Sequence, residues 1–453
     1  MKRLWLILLS LGLIVVFSTA ALAVDVKFSG EFYVAGMYLD KTSLNKNSYV
    51  IPGPPPVTVG QGPSTAFYFQ RLRVKTDFVV SPGLTLVTRF DAMERAWGAS
   101  RTAAATALAA DSAGTTAENE NIAFDWAYID YKSPIGAFTV GLMEDGRTGT
   151  VFGNSYTTLG RIKYAYVIGP VAIKADITKG ADSSYTAKNN VAGKYFTDAD
   201  KDKYGLEGVF SWKEGMAGMK VTYYHYADKR PAPDSYLRSY FLFTPYAIAK
   251  IGPVNIQAEV NYATGDANKY EAPSVKTDVK MESLSAFLDA TATFNPVYFG
   301  ATFAYISGDD PGKKDKYQGA LNGGQDWNPC LIMFNYYDRG YWADSLGGYD
   351  STANVGPMTN AWFLQGRVGV TPIDKLDIMA SVSYATADKK PASVLNNAYG
   401  YEADLTATYK ITNNLSYMLG LGYFFTGDYY KGTLDTNELS NDYMVINKLT
   451  LTF

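Results

Sequence analysis

From Val24 onward, apolar and polar residues alternate with a period of two rather than 3.6, which predicts strands instead of helices. Residues 399–411 show it best. Tyr399, Tyr401, Ala403, Leu405, Ala407, Tyr409 and Ile411 fall on one face, with Gly400, Glu402, Asp404, Thr406, Thr408 and Lys410 on the other. Segments 254–262, 376–384 and 415–425 repeat the pattern. These runs extend over about nine to thirteen residues, longer than a typical soluble strand of roughly five or six. Their apolar faces often end in aromatics, as at Tyr399 and Tyr409. A strand crossing a bilayer needs aliphatic residues at its middle and aromatic ones at the two interfaces.

Two kinds of join connect these strands. Ser81-Pro82-Gly83, Ser133-Pro134-Ile135-Gly136, Gly169-Pro170, 214–217, Ile251-Gly252-Pro253, Asn295-Pro296, 371–375 and Asn413-Asn414 are turn-forming clusters rich in Gly, Pro and Asn. Longer polar stretches lie between them, near 40–64, 96–120, 145–159, 181–202, 229–235, 265–278, 308–355, 389–396 and 428–440. Long joins at one end and short turns at the other are the rhythm of a membrane barrel. The count is about eighteen strands, bounded at roughly 16–18 because 236–250 and 279–294 are ambiguous in face. Unpaired backbone cannot sit in hydrocarbon, so the strands must close into a ring. A ring that wide encloses water. The expected fold is therefore all-β, a transmembrane antiparallel up-and-down β-barrel with a water-filled lumen.

Composition agrees with this reading. Hydrophobic residues make up 47% of the 453-residue chain, yet the mean hydropathy is −0.11, as when every second residue faces lipid and its neighbour faces water. The 36 Tyr suit two interfacial girdles. A single Cys and a single His exclude an internal disulfide, Cys-based zinc or iron–sulfur centres and His-pair metal sites. A net charge of −3 excludes a basic nucleic-acid binder. Met1-Lys2-Arg3, the apolar run 4–17 and Ala21-Leu22-Ala23 form an export signal cleaved after Ala23. Residues 1–23 are thus expected to be a signal peptide and 24–453 the barrel, placed in a bacterial outer membrane among lipid and lipopolysaccharide.

The inward face carries the candidate chemistry. Arg71, Arg73 and Lys75 share the face opposite Leu72 and Val74, and Arg89, Arg161, Lys163 and Lys174 continue a basic ladder on later strands. Glu259, Asp289, Asp377, Glu402 and Asp404 form a more acidic far wall. Opposed charges across a narrow channel create a transverse field, and a basic ladder offers anions a stepwise path. The blander reading is that these charges only solvate the wall and pair with one another.

The stretch 308–355, about 48 residues, far exceeds ordinary loop length. It holds Trp327, Tyr336, Tyr337, Tyr341 and Trp342 together with Cys330-Leu331-Ile332-Met333-Phe334, too apolar for a solvated coil. Burial inside the lumen as a constriction, with aromatics stacked on sugar rings, and burial in an external cap or partner contact both satisfy it. The Ala-rich stretch Arg101–Ala110 suits a short helix in another loop.

The chain ends Tyr443-Met444-Val445-Ile446-Asn447-Lys448-Leu449-Thr450-Leu451-Thr452-Phe453, with Leu449, Leu451 and Phe453 on one face. This resembles the terminal strand that the barrel-assembly machinery reads in Gram-negative porins, with Phe453 as the assembly signal; Asn447 departs from the apolar residue usual at its position. Residues 127–141 resemble a porin strand–turn–strand. The strand count is closer to the alginate-export and outer-membrane carboxylate channel families, and Ile306-Ser307-Gly308-Asp309-Asp310 resembles a feature of the alginate-export group. The resemblance implies an outer-membrane porin without catalysis or cofactor, monomeric or homotrimeric. It would pass small hydrophilic solutes, and the basic ladder leans it toward anionic or sugar-like ones. The alternative is a scaffold sheathing a partner protein, such as the barrel of an extracellular electron conduit.

Other motifs fall short. Asp198-Ala199-Asp200-Lys201-Asp202 begins like a calcium loop, but Lys203 stands where Gly is needed and Val209 where a bidentate Glu belongs. It reads as an acidic external loop. His225 falls on the apolar face near a long loop, an interface position rather than a catalytic one. No CxxCH is present to attach a haem.

Overall fold

The computed structural model describes residues 24–453 apart from 47–48, 52–54, 60–63, 99–121, 156, 185–188, 192–193, 197, 231–233, 273 and 344–355. Residues 1–23, expected to be a signal peptide, Arg101–Ala110 and the end of the long loop therefore lie outside the described residues.

Eighteen long strands form the wall: β1 (Asp25–Leu39), β2 (Thr65–Ser81), β3 (Leu84–Ala96), β4 (Ala123–Ser133), β5 (Gly136–Asp145), β6 (Thr157–Ile168), β7 (Val171–Ala181), β8 (Lys201–Trp212), β9 (Gly215–Tyr226), β10 (Tyr236–Ile251), β11 (Val254–Tyr270), β12 (Val279–Phe294), β13 (Val297–Ile306), β14 (Ala361–Ile373), β15 (Leu376–Ala387), β16 (Ala398–Lys410), β17 (Leu415–Thr426) and β18 (Asp442–Thr452). Each pairs antiparallel with its sequence neighbours, and β1 pairs with both β2 and β18. The ring is closed, so no edge is left to hydrocarbon. The two segments ambiguous in pattern are strands β10 and β12. Tight turns and long joins alternate as the Gly, Pro and Asn clusters predict.

Side-chain alternation separates lipid from lumen. Ile173, Ile177, Val382, Leu405 and Leu421 face outward and are exposed, while Ser381, Ser383, Glu402 and Asp404 point inward and are buried. Outward aromatics gather at two levels. Phe28, Tyr131, Trp212, Phe294, Tyr409 and Phe453 lie near the short turns; Tyr68, Trp97, Phe124, Trp362, Tyr401 and Phe425 lie near the long loops. An apolar band between two aromatic girdles matches a bilayer and its interfaces.

Alternation misplaces one ring. By period Tyr399 belongs with Tyr401 on the lipid face, yet it is fully buried inside. The ladder between β15 and β16 slips there, with Gly400 at φ 130° forming a bulge that rephases the strand. A side chain at Gly400 would run into the Phe425 carbonyl.

The apolar core lies inside the barrel, not between layers. Inward residues of the wall, including Tyr33, Met37, Phe69, Phe363 and Ile446, pack against Phe152, Trp327, Ile332, Phe334 and Trp342 of two joins that fold into the lumen.

Candidate functional site

The shorter inward join runs between β5 and β6. Thr150 caps the turn Val151–Gly153 by accepting the Phe152 N–H. Its own N–H and hydroxyl both donate to Glu259 on β11, at 2.7 and 2.9 Å. Asn261 donates to the other Glu259 oxygen at 2.9 Å. Phe152 then stacks on Phe287 of β12, ring centroids 4.8 Å apart. Gly149 and Gly153 allow this approach, since a side chain at either would strike Glu259.

The longer join, after β13, packs against the shorter one, with Trp327 and Phe152 ring centroids 5.2 Å apart, and continues round the adjoining wall. Trp327 meets Phe363 of β14 edge-on, and the Pro329 carbonyl accepts from Gln365. Ile332 and Met333 donate their backbone N–H groups to Glu402 of β16 at 2.6 and 2.7 Å. Asp338 reaches Lys448 of β18 at 3.0 Å, and Trp342 stacks on Phe69 of β2 at 4.5 Å. The loop lines the inside of the barrel from β14 round to β2.

A passage remains along β2–β6, made of three cavities that share lining residues. The one nearest the long loops, about 290 Å³, is bounded by Arg71, Arg73, Arg89, Tyr336, Tyr337 and Tyr341. The middle one, about 700 Å³, sets Arg71, Arg73, Lys75, Arg89, Trp126 and Arg147 against Asp326, Asn328, Tyr337 and Asp338 of the loop. Toward the short turns, about 440 Å³ is lined by Lys75, Trp126, Tyr128, Lys132, Arg161 and Lys163 among others. Cations, carboxylates and aromatic rings thus border the route together, since Glu31, Asp77, Asp91, Glu94, Asp125, Asp130 and Glu144 line the same cavities.

Most of these cations have carboxylate partners. Arg73 grips Asp91 through two hydrogen bonds of 2.7 and 2.6 Å. Arg89 bonds Asp125 at 3.0 Å and lies 3.6 Å over the Trp126 ring. Arg71 sits between Glu31 and Glu94, 3.7 Å from each, and Lys75 meets Asp77 at 2.8 Å. Lys132 and Lys163 enter no ion pair among the described residues. On the loop, Asp326 lies 3.5 Å from Arg147, and burial pushes its carboxyl above the usual range.

The residues singled out in the sequence separate into three groups. Arg71, Arg73, Lys75, Arg89, Arg161 and Lys163 border the passage. Lys174 points inward but is paired with Glu207 one strand beyond. The acidic far wall is not an open wall: Glu259 and Glu402 are buried as anchors of the two loops, and Asp404 lies beside Glu402 under the same cover. Their inward direction follows from alternation, whereas the loops that cover them do not. Asp289 is paired with Arg367, and Asp377 accepts from Tyr298, both away from the passage. Of the loop aromatics, Tyr336, Tyr337 and Tyr341 face the cavities, but Trp327 and Trp342 are buried anchors with no face left for a solute.

Sequence reasoning did not single out Trp126, Arg147, Asp326, Asp338 or Lys448. Trp126 is two residues from the lipid-facing Phe124, and only a slip in the β3–β4 ladder turns it inward. Arg147, Asp326 and Asp338 lie in joins, where no period marks a direction. The calcium-like stretch is filled by cations of this chain. Asp200 and Asp202 share Lys179 at 2.7 and 2.8 Å, and Asp198 contacts His225 and Arg230. Phe453 seals the seam, exchanging backbone hydrogen bonds with Gly30 of β1.

The sequence matches no protein-family profile and no curated protein. Its fold does match solved structures. A BenF-like porin from Pseudomonas fluorescens Pf-5 aligns over 95% of this chain and 99% of its own, with a TM-score of 0.53 at 8% identity. Pseudomonas aeruginosa OccK2 (OpdF) in complex with glucuronate aligns over 95% and 97%, with a TM-score of 0.52 at 9% identity. Pseudomonas aeruginosa OpdK with vanillate aligns over 94% and 99%, with a TM-score of 0.50 at 10% identity. At such low identity the likeness is one of fold, and over nearly its whole described length this chain has the closed barrel fold of Pseudomonas outer-membrane porins.

Proposed function

We propose that the protein is an outer-membrane porin that passes small hydrophilic anions, preferentially ring-bearing carboxylates, along the β2–β6 wall. One observation carries this reading: Arg, Lys and aromatic side chains, with carboxylates between them on the wall, face Asp326 and Asp338 of the loop across a passage that the protein's own loops have narrowed. Fixed charges in such a confined space select by sign, and aromatic faces favour flat solutes. Glucuronate and vanillate in the similar porins belong to that chemical class.

The chain's own loop packs on the inner wall from β14 to β2 and takes up lumen that a sheathed partner protein would need. That disfavours the scaffold alternative. Function as a channel needs neither a nucleophile nor a cofactor. Phe453, at the seam of β18 and β1, is where the assembly machinery would engage the last strand.

The test is reversal potential in a planar bilayer under a potassium chloride gradient. Wild-type protein should favour chloride, and Arg71→Ala/Arg73→Ala should lose much of that preference. Liposome swelling should be faster with glucuronate than with glucosamine. Unchanged ion preference in the double variant would overturn the assignment of the pathway.

A further inference from the structure

Among the described residues, one group of thiol and carboxylate donors converges in the interior. Cys330 of the long inward loop meets Glu402 and Asp404 of β16, with donor atoms all within 4.8 Å of one another. All three residues are buried, and neither carboxylate enters an ion pair among the described residues. Asp404 is 6% exposed; its Oδ2 accepts weakly from Ser381 at 3.5 Å, while its Oδ1 is sealed from solvent and meets no donor in good hydrogen-bond geometry, with Glu402 and the Leu331 backbone as the carboxyl's other polar neighbours. Buried charge without a partner is costly, so something positive belongs beside that oxygen.

A proton shared between the two carboxyl groups would meet part of this need. It would leave the thiol outside the pair, donating only to the Ser383 hydroxyl at 3.3 Å. A cation uses all three donors: a single Cys excludes a centre built on several thiolates, but one sulfur with two carboxylate oxygens is a different ligand set, suited to ions of borderline to soft character. The surroundings resemble a supporting shell of ligands. Ser383 touches the Cys330 sulfur at 3.3 Å, and the Ile332 and Met333 N–H groups fix the Glu402 carboxylate from behind. Zinc–sulfur bonds of about 2.3 Å and zinc–oxygen bonds of about 2.1 Å hold tetrahedral donors roughly 3.5 Å apart, so closure needs shifts of about an ångström.

We propose that Cys330, Glu402 and Asp404 bind one thiophilic divalent cation, of the Zn²⁺ or Cd²⁺ type, which fastens the inward loop to the barrel wall. The thiol proton leaves to solvent as the metal–sulfur bond forms. A fourth ligand is supplied by water. The site lies outside the β2–β6 passage and does not depend on which solute permeates.

The test uses the folded full barrel in detergent, stripped with chelator and titrated with Cd²⁺. One equivalent per chain should bind, with the ultraviolet charge-transfer absorption of a cadmium thiolate. Cys330→Ser, nearly isosteric, should abolish that absorption and weaken binding by at least about tenfold. Asp404→Asn should weaken binding comparably while leaving the Glu402 anchor in place; heat-modifiable migration reports that each variant is folded. Absence of stoichiometric uptake by the folded wild type overturns the site, as does uptake unchanged in Cys330→Ser. A protonated-carboxyl infrared band that persists in saturating Cd²⁺ assigns the pair to a shared proton and overturns it as well.

Discussion

Glu402 of the barrel wall accepts a 2.6 Å hydrogen bond from the backbone N–H of Ile332, in the loop that narrows the lumen. Its second oxygen accepts from Met333 at 2.7 Å, so one inward carboxylate holds two consecutive peptide units that water cannot reach. A chain that leaves the wall and crosses a lumen must satisfy its backbone somewhere.

Glu402→Ala should therefore release the loop. Two buried N–H groups lose their acceptor, at about 1–3 kcal/mol each. Single-channel conductance should rise and become noisier while the barrel stays folded. Unaltered conductance would show that this segment does not narrow the pore.

Asp91→Asn should strengthen anion preference. Asp91 neutralises Arg73 through two short hydrogen bonds, and the amide keeps the shape but not the charge. The passage then gains one net positive charge. Reversal potential under a salt gradient should shift opposite in sign to the shift caused by removing the arginine.

Acidification should act in part through Asp326. Burial raises its carboxyl above the usual carboxylate range, so it takes up a proton at a pH where ordinary Asp is still ionised. Losing that negative charge beside Arg147 should raise anion preference as pH falls through this window. Asp326→Asn should show the higher preference at neutral pH and lack the corresponding step on acidification.

Gly400→Val should destabilise the barrel near the long loops. The position has φ 130°, which a β-branched residue adopts only under strain, and the added atoms meet the Phe425 carbonyl and the Gly427 N–H. A cost of about 2 kcal/mol or more is expected, read as a lower urea midpoint. Unfolding unchanged from wild type would contradict the bulge that carries Tyr399 inward.

The wall was legible because its cause is local. Along 254–262 and 376–384, every second residue meets lipid, and turn clusters such as Gly169-Pro170 mark each reversal. The basic residues of β2 could be placed by the same rule. The rule fails where the ladder slips, at Tyr399 and Trp126, since one extra residue exchanges the two faces. It is silent within the joins, so it marked Trp327 and Trp342 as unusual without showing that they are buried anchors.

The sequence by itself determined a closed ring of about eighteen strands, its lipid face and the direction of its inward charges, because a bilayer imposes a strict period on every strand. Only the tertiary structure decided which inward charges meet solvent. That depends on contacts between residues far apart in the chain, Thr150 with Glu259 and Ile332 with Glu402, which turn two acidic positions into loop anchors and leave the arginines of β2 and β3 to line the opening.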